Sequence, residues 1–419
     1  IAVLRLFDVP QLLNVGYSEA LVITIVTIGC IGAVYAIFGG LKAVAVSDTL
    51  NGGGLLIIGV LVPVLGLAAL GNGSVSAGLG IITSEHTHKL NAIGGPQDPT
   101  PFATIFTGMI FANLFYWCTN QYVIQRTLGA KNLAEGQKGV LFSGLFKIMV
   151  PFMMMLPGVI AFHLYGSGLA SIDLAYPQLI RDVLPAYLSG FFLAVLLGAV
   201  FSSFNSLLNS AATLFCLDVY APMRKTPPSD RDMLRVAKIA SVVIALFSFV
   251  VAPLLQYAPD GLWQIIRIFT GFYNIPVVAI VIVGLFTRRV PALAAKIVIV
   301  FHIIAYGLAK FVFDDVVTMH FLHLYAVLFI IEVGIMLVLG KLRPAATEWR
   351  YAPNHEVDLT PWRFARPAAF SLLSAVVFLY LLFSPIGLVG GMGSLFATLV
   401  GALFALNLLV WWRATPDPA

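Results

Sequence analysis

The sequence is short of charge. Asp, Glu, Lys and Arg make up 10% of its 419 residues, where soluble domains carry about a quarter. A soluble globular chain is thereby excluded. Cysteine is also scarce. Cys30, Cys118 and Cys216 are the only three, and all fall in or near apolar stretches, which excludes a disulfide framework and a thiolate metal site. An initiating Met and a signal peptide are absent, because the chain opens Ile1-Ala2-Val3-Leu4. It reads as an internal piece of a longer protein. The seven histidines are scattered. His86-x-His88 and His320-x-x-His323 are loop or helix-end pairs without a matching cysteine or carboxylate cluster, so no metal site is expected there.

What is abundant is hydrocarbon. Sixty per cent of the residues are hydrophobic, in recurring runs of the ~20 residues needed to cross roughly 30 Å of bilayer core. Eleven such runs are expected: 19–39, 43–69, 102–123, 138–163, 186–217, 234–256, 262–286, 291–312, 320–340, 366–386 and 392–412. A β-barrel would show alternating segments of about ten residues instead. The expectation is an all-α integral membrane protein of the cell membrane, with the lipid bilayer as its surroundings.

The net charge of +5 reflects topology and not a nucleic-acid partner. Eighteen of the 24 Lys and Arg residues lie in one alternating set of connections, from Lys42 through Arg126–Lys138, Arg224–Lys238, Arg288–Lys296 and Lys341–Arg366 to Arg413. Four lie in the other set: Arg5, Lys89, Arg181 and Lys310. The positive-inside rule puts the richer set in the cytoplasm, the N-terminus outside and the C-terminus inside. The two remaining cations, Lys147 and Arg267, fall within expected spans. Ionisable groups in hydrocarbon are costly and mark functional sites by default. Lys147 is near mid-membrane. Arg267 is near the outer end of its helix, where it either lines a site or snorkels outward. Asp48 lies near the inner end of a span. Glu332 lies well inside one and is left without a role.

Two segments are dense in polar groups. The first, 197–213, carries Ser202, Ser203, Asn205, Ser206, Asn209, Ser210 and Thr213. At 3.6 residues per turn Ser202, Ser206, Asn209 and Thr213 form one stripe. Such a stripe serves close helix packing or offers neutral oxygens to a small hard cation such as sodium. On its own it favours packing. The second segment, 113–131, gathers Asn113, Tyr116, Trp117, Asn120 and Gln121. These form an interfacial aromatic belt or a platform on which a ring stacks and amides read hydroxyls. Glycine and proline interrupt many spans, at Gly39-Gly40, Gly52-Gly53-Gly54, Pro151, Pro157-Gly158, Gly271 and Pro276. Broken helices of this kind often line transporter substrate sites.

Asn113–Lys131, followed by Phe146-Lys147-Ile148 and Leu156-Pro157-Gly158, resembles the signature of the sodium:solute symporter family, in particular its sodium–glucose and sodium–galactose branch. The match continues through Ser202-Ser203 to Asn209-Ser210 and Asp218-Val219-Tyr220. Gly39-Gly40-Leu41-Lys42-Ala43 before Ser47-Asp48 also fits. The resemblance implies a leucine-transporter-like inverted-repeat fold around a midplane site, working by alternating access. It implies a single transporter domain over 1–419. Within it, 19–69 is the end of the first repeat, 102–286 the second repeat and 291–412 additional C-terminal helices. By the same resemblance the first helices of the fold are absent. Ala199, Ser202 and Ser203 are implied as sodium ligands, the first through its backbone carbonyl. Asn113 and Lys147 are implied as sugar contacts, Tyr116 as an inner gate with Trp117 beside it, and Asp48 as an acid on the sodium exit path.

One departure stands out. Sugar carriers of this branch have a Gln in Tyr-Ile-Gln where this chain reads Ile265-Ile266-Arg267. A guanidinium suits a planar carboxylate, so Arg267 is expected at the substrate and raises an anionic solute as an alternative to a neutral sugar. The leading expectation is a sodium-coupled symporter of a small polar solute, with sodium as coupling ion and no other cofactor. A non-transporting sensor or channel on the same fold is a further reading. An enzyme is not expected, since no nucleophile–base pair, metal cluster or phosphate loop is visible.

Overall fold

The computed structural model describes residues 2–169, 171–257, 261–350 and 357–414, without the side chains of Arg5 and residues 36–45. The side chains of the Gly39–Ala43 motif therefore lie outside the described residues. Among those described, the chain is helical and has no strand. Among the described residues ten helical stretches are long and apolar enough, by length and composition, to cross a membrane. The eleventh expected span, 102–123, is broken into pieces. Residues Gly108–Leu114 are α-helical, Phe115–Thr119 make a π-helical turn, and Asn120, at ψ 111°, interrupts the backbone before Gln121–Leu128.

The chain forms two compact units, residues 1–90 with 145–262 and residues 91–144 with 263–419. In the first, Tyr17–Leu70 is helical over 54 residues and contains two apolar windows, Tyr17–Tyr35 and Val46–Leu70. No interruption of the helix appears at Gly39-Gly40. Yet Gly32 packs on Phe201 and Phe204, while Asn51 packs on Gly198. Gly32 and Asn51 would be about 28 Å apart on a straight helix at 1.5 Å per residue, too far for both to meet one short stretch. The axis therefore bends between them, and the helix acts as two spans in series. The core of this unit is aliphatic: Ile58, Val62, Ile160, Leu179 and Ile180 are at most 3% exposed.

The second unit sorts its connections to two ends. At one end Asp358 O accepts from Leu133 N–H at 3.0 Å and Trp362 N–H donates to Gln137. Arg289 pairs with Glu348 at the same end, at 2.9 Å. At the other end Gln264 donates to Pro99 O, and Ala92 N–H donates to Phe383 O. The broken segment 102–128 thus still passes from one end to the other. The clustered connections 126–138, 288–296 and 341–366 are the ones the charge count groups together. In the middle, Ile275, Tyr306, Leu322 and Tyr325 form the core. Gly108 is needed there, because a Cβ would stand 1.6 Å from Leu322 O.

Candidate functional site

The candidate ion ligands are in the first unit, on the helix Ser189–Leu214. Ala199, Ser202 and Ser203 occupy one turn. A helical side chain leans back over the preceding turn, so the hydroxyls at 202 and 203 come level with the carbonyl three and four residues before them. That carbonyl is Ala199's, and its second lone pair is available. Ser202 is half-buried and Ser203 exposed. Neither hydroxyl makes a protein hydrogen bond among the described residues. Three oxygens fall short of the roughly six that a hard cation takes.

The rest of the stripe behaves differently. Ser206 Oγ donates to Ser202 O and Thr213 Oγ1 donates to Asn209 O, both at 2.8 Å. These hydroxyls serve their own helix. Asn205 and Ser210 are buried, and among the described residues Asn205 Nδ2 lacks a partner. The turn carrying Ala199 is held against the Tyr17–Leu70 helix. A Cβ on Gly198 would lie 2.3 Å from Asn51 Oδ1, and one on Gly54 2.5 Å from Val195. Asn51 also donates to Ser47. Half-buried Asp48 lies one residue beyond Ser47 on the same helix. Sequence reasoning passed over Asn51, whose only sequence signal is an amide one turn after Ser47.

Lys147, also in the first unit, is exposed on the helix Leu133–Val150, one turn before a π-helical turn at Pro151–Met155. Gly59 admits Met153 of that turn; a Cβ there would stand 2.0 Å from its methyl.

The other candidate solute contacts are in the second unit. Tyr116 and Trp117 lie in the π-helical turn Phe115–Thr119, with rings 5.2 Å apart and nearly perpendicular. Tyr122 OH donates to Tyr116 OH at 3.0 Å. Tyr122 was not singled out from sequence, because the polar and aromatic cluster was read as ending at Gln121. Asn113 Nδ2 bonds Met109 O on its own helix, which leaves its carbonyl oxygen facing outward from an exposed residue. A π-turn therefore adjoins the Asn113 and Lys147 motifs, and a third, Phe215–Tyr220, follows the end of the helix that carries Ser202, more than three turns beyond it. Such turns recur at functional sites, since they redirect side chains and loosen carbonyls.

Arg267 is at an end of the second unit. Its Nη1 donates to Thr100 Oγ1 at 2.8 Å and to Gln264 Oε1 at 3.2 Å. Its guanidinium lies 5.5 Å over the Phe321 ring. Nη2 is buried without a partner among the described residues. The side chain is thus anchored toward the connection 91–101, as snorkelling requires, with the two N–H groups of Nη2 still unused.

Comparison with known proteins gives a consistent result. The model of the sodium:solute symporter family matches residues 7–298. An uncharacterized symporter of Escherichia coli, YidK, is 41% identical, with all of this chain and 73% of that protein aligned. A sodium/glucose cotransporter of Vibrio parahaemolyticus is 30% identical over 67% of this chain and 55% of its own length. The sodium/myo-inositol cotransporter 2 of Homo sapiens is 29% identical over 64% and 44%. The chain thus spans about half the length of these last two. A solved Na+-coupled sialic acid symporter, substrate-bound and outward-open, superposes with TM-score 0.66 at 21% identity over 84% of this chain and 72% of that one. The fold is shared with it.

Proposed function

Because the chain belongs to the sodium:solute symporter family, we propose that it carries out sodium-coupled uptake of a small polar solute, a sugar or sugar derivative, by alternating access. The family match over 7–298 is the observation that carries this reading. The Vibrio parahaemolyticus and human relatives are cotransporters of glucose and myo-inositol with sodium, both neutral polyols.

In this reading Ala199 O and the hydroxyls of Ser202 and Ser203 supply part of the sodium shell. Asn113 and Lys147 bond solute hydroxyls. Tyr116, held by Tyr122, stacks beneath the ring with Trp117 beside it, and Asp48 lies on the ion's exit path. Widened turns beside Asn113 and Lys147 fit a carrier whose helices flex during transport.

The test is solute accumulation in proteoliposomes carrying the purified protein. An inward sodium gradient should drive uptake above equilibrium, and collapsing the gradient should abolish accumulation. Binding without accumulation would indicate a sensor, and downhill flux that ignores sodium would indicate a channel.

Arg267 supports a second reading, in which the solute is a sugar acid or another organic anion. Its Nη2 is buried and unmatched, and among the described residues no carboxylate pairs with it. A bidentate carboxylate would meet that need.

A further inference from the structure

The helix Val75–Glu85 begins at Ser74, whose hydroxyl accepts from Ala77 N–H, and ends with His86 as its C-cap. The helix Leu156–Tyr165, in the same unit, brings His163 beside it from 77 positions further along. Glu85, His86 and His163 each place a ligand atom within 4.8 Å of the others. His86 Nε2 is 2.7 Å from His163 Nδ1, and His163 Nδ1 is 3.8 Å from Glu85 Oε2.

We propose that Glu85, His86 and His163 bind a divalent transition-metal ion of the zinc or nickel class. A tetrahedral ion with bonds of about 2.0–2.1 Å holds its ligand atoms roughly 3.3–3.4 Å apart. The two observed separations lie on either side of that value, so shifts of about half an ångström seat the ion. Two imidazoles and one carboxylate select borderline metals over magnesium or calcium, which prefer all-oxygen shells. Three protein ligands leave a fourth position for water. His88, its ring 6.2 Å from that of His86, is the next nitrogen donor.

The surroundings hold the site in place. The two imidazole rings are nearly perpendicular, 4.9 Å apart. Phe162 meets His86 edge-on at 5.6 Å, and Lys89 Nζ caps the other part of that wall, 4.3 Å from the Phe162 centroid. Glu85 is exposed and gives the ion access. An ion here links the end of Val75–Glu85 to the end of Leu156–Tyr165.

The test uses purified protein with its affinity tag removed, titrated with zinc by calorimetry and by thermal unfolding. Zinc should bind saturably and raise the unfolding temperature, while magnesium and calcium should not. His86→Ala and His163→Ala should each weaken zinc binding at least about tenfold, since even outer partners of metal ligands are worth 10–100-fold. Exposed Glu85→Gln leaves the packing untouched and should also weaken binding, which covers the case of a histidine variant that fails to fold. His320→Ala should leave zinc affinity unchanged. Zinc affinity equal to wild type in Glu85→Gln and in any folded histidine variant overturns the proposal, as does the absence of saturable binding by wild type.

Discussion

His302 and Glu332, on adjacent helices of the second unit, share a hydrogen bond of 2.5 Å between Nδ1 and Oε1, with both side chains wholly buried. The other imidazole nitrogen, Nε2, lies 2.9 Å from Gly271 O. A carbonyl only accepts, so Nε2 carries a proton. Nδ1 then either receives a proton from a neutral carboxylic acid or donates one to a carboxylate. In both cases two hydrogen bonds, one from Nε2–H to Gly271 O and one between Nδ1 and Oε1, tie three helices together.

Removal of the carboxyl should therefore cost stability. Glu332→Ala leaves Nδ1 buried and unmet, a loss of about 1–3 kcal/mol. Glu332→Gln can donate an amide hydrogen to a neutral His302 and should lose much less. Thermal unfolding of the purified variants distinguishes the two. If Gln is as damaging as Ala, the pair is ionic; if neither lowers the unfolding temperature, it is not a structural tie.

The Asn51–Gly198 contact predicts a steric coupling. Gly198→Ala puts a methyl into the Asn51 amide, at 2.3 Å from Oδ1. Overpacking of this kind costs about 1–3 kcal/mol. Asn51→Ala frees the space, so the double variant should recover most of the loss. A double-mutant cycle without coupling would show that the helices simply separate.

Ser203→Ala should weaken sodium dependence while leaving folding intact, because among the described residues its hydroxyl holds no protein partner. A loss of about 1.4 kcal/mol corresponds to a tenfold rise in the sodium concentration for half-maximal uptake. Ser206→Ala, whose hydroxyl bonds its own helix, is the control and should leave that concentration unchanged. Equal effects in both variants would return the whole stripe to packing.

These residues show what sequence could and could not reveal. Composition and span length made the membrane fold plain, because hydrocarbon imposes the same requirement on every span. Segment 102–123 escaped that logic. Its apolar residues satisfy a hydropathy window, but nothing in the window reports that Asn120 leaves the helix. The serine stripe was visible by period, whereas the bonding of Ser206 and Thr213 to their own helix, which the Ser202 and Ser203 hydroxyls do not share among the described residues, depends on rotamers. Glu332 was visible as a misplaced acid, but its partner His302 lies on another helix, 30 positions away. The Glu85–His86–His163 group was hidden for the same reason: only His86-x-His88 is local, and the local pair is not the one that converges.

His320 predicts a pH effect. It caps the helix Phe321–Leu342 just outside the span. Burial chiefly, then the nearby charges of Arg267, His323 and Lys310, lower its pKa to about 4, against a smaller opposing contribution from a hydrogen bond to the Pro99 backbone. The unfolded chain thus binds a proton between about pH 6.5 and pH 4 that the folded chain refuses. The resulting stability is fully present above pH 6.5 and is lost as pH falls toward 4. Unfolding temperatures at pH 7 and pH 5 should differ less in His320→Gln than in wild type. An identical difference in both proteins would remove His320 as a cause.

Arg267 decides between the two solute classes. Nη1 is engaged by Thr100 and Gln264, so the residue has an anchoring duty whichever solute is carried. Nη2 is not engaged. If the solute is anionic, its carboxylate completes Nη2, and Arg267→Gln should reduce uronate uptake at least about tenfold, as expected for loss of a charge-assisted bond of 1.5–3 kcal/mol. Hexose uptake should then be unaffected or improved. If the solute is a neutral sugar, the wild type does not accumulate uronates at all. Arg267→Gln should then lower the unfolding temperature through the lost Thr100 contact without changing hexose affinity. Sodium-driven uptake of hexoses and uronates, measured side by side in the same vesicles with the unfolding temperatures, separates a binding duty from an anchoring one. An anchor alone moves stability, and a ligand moves the preference between the two solutes.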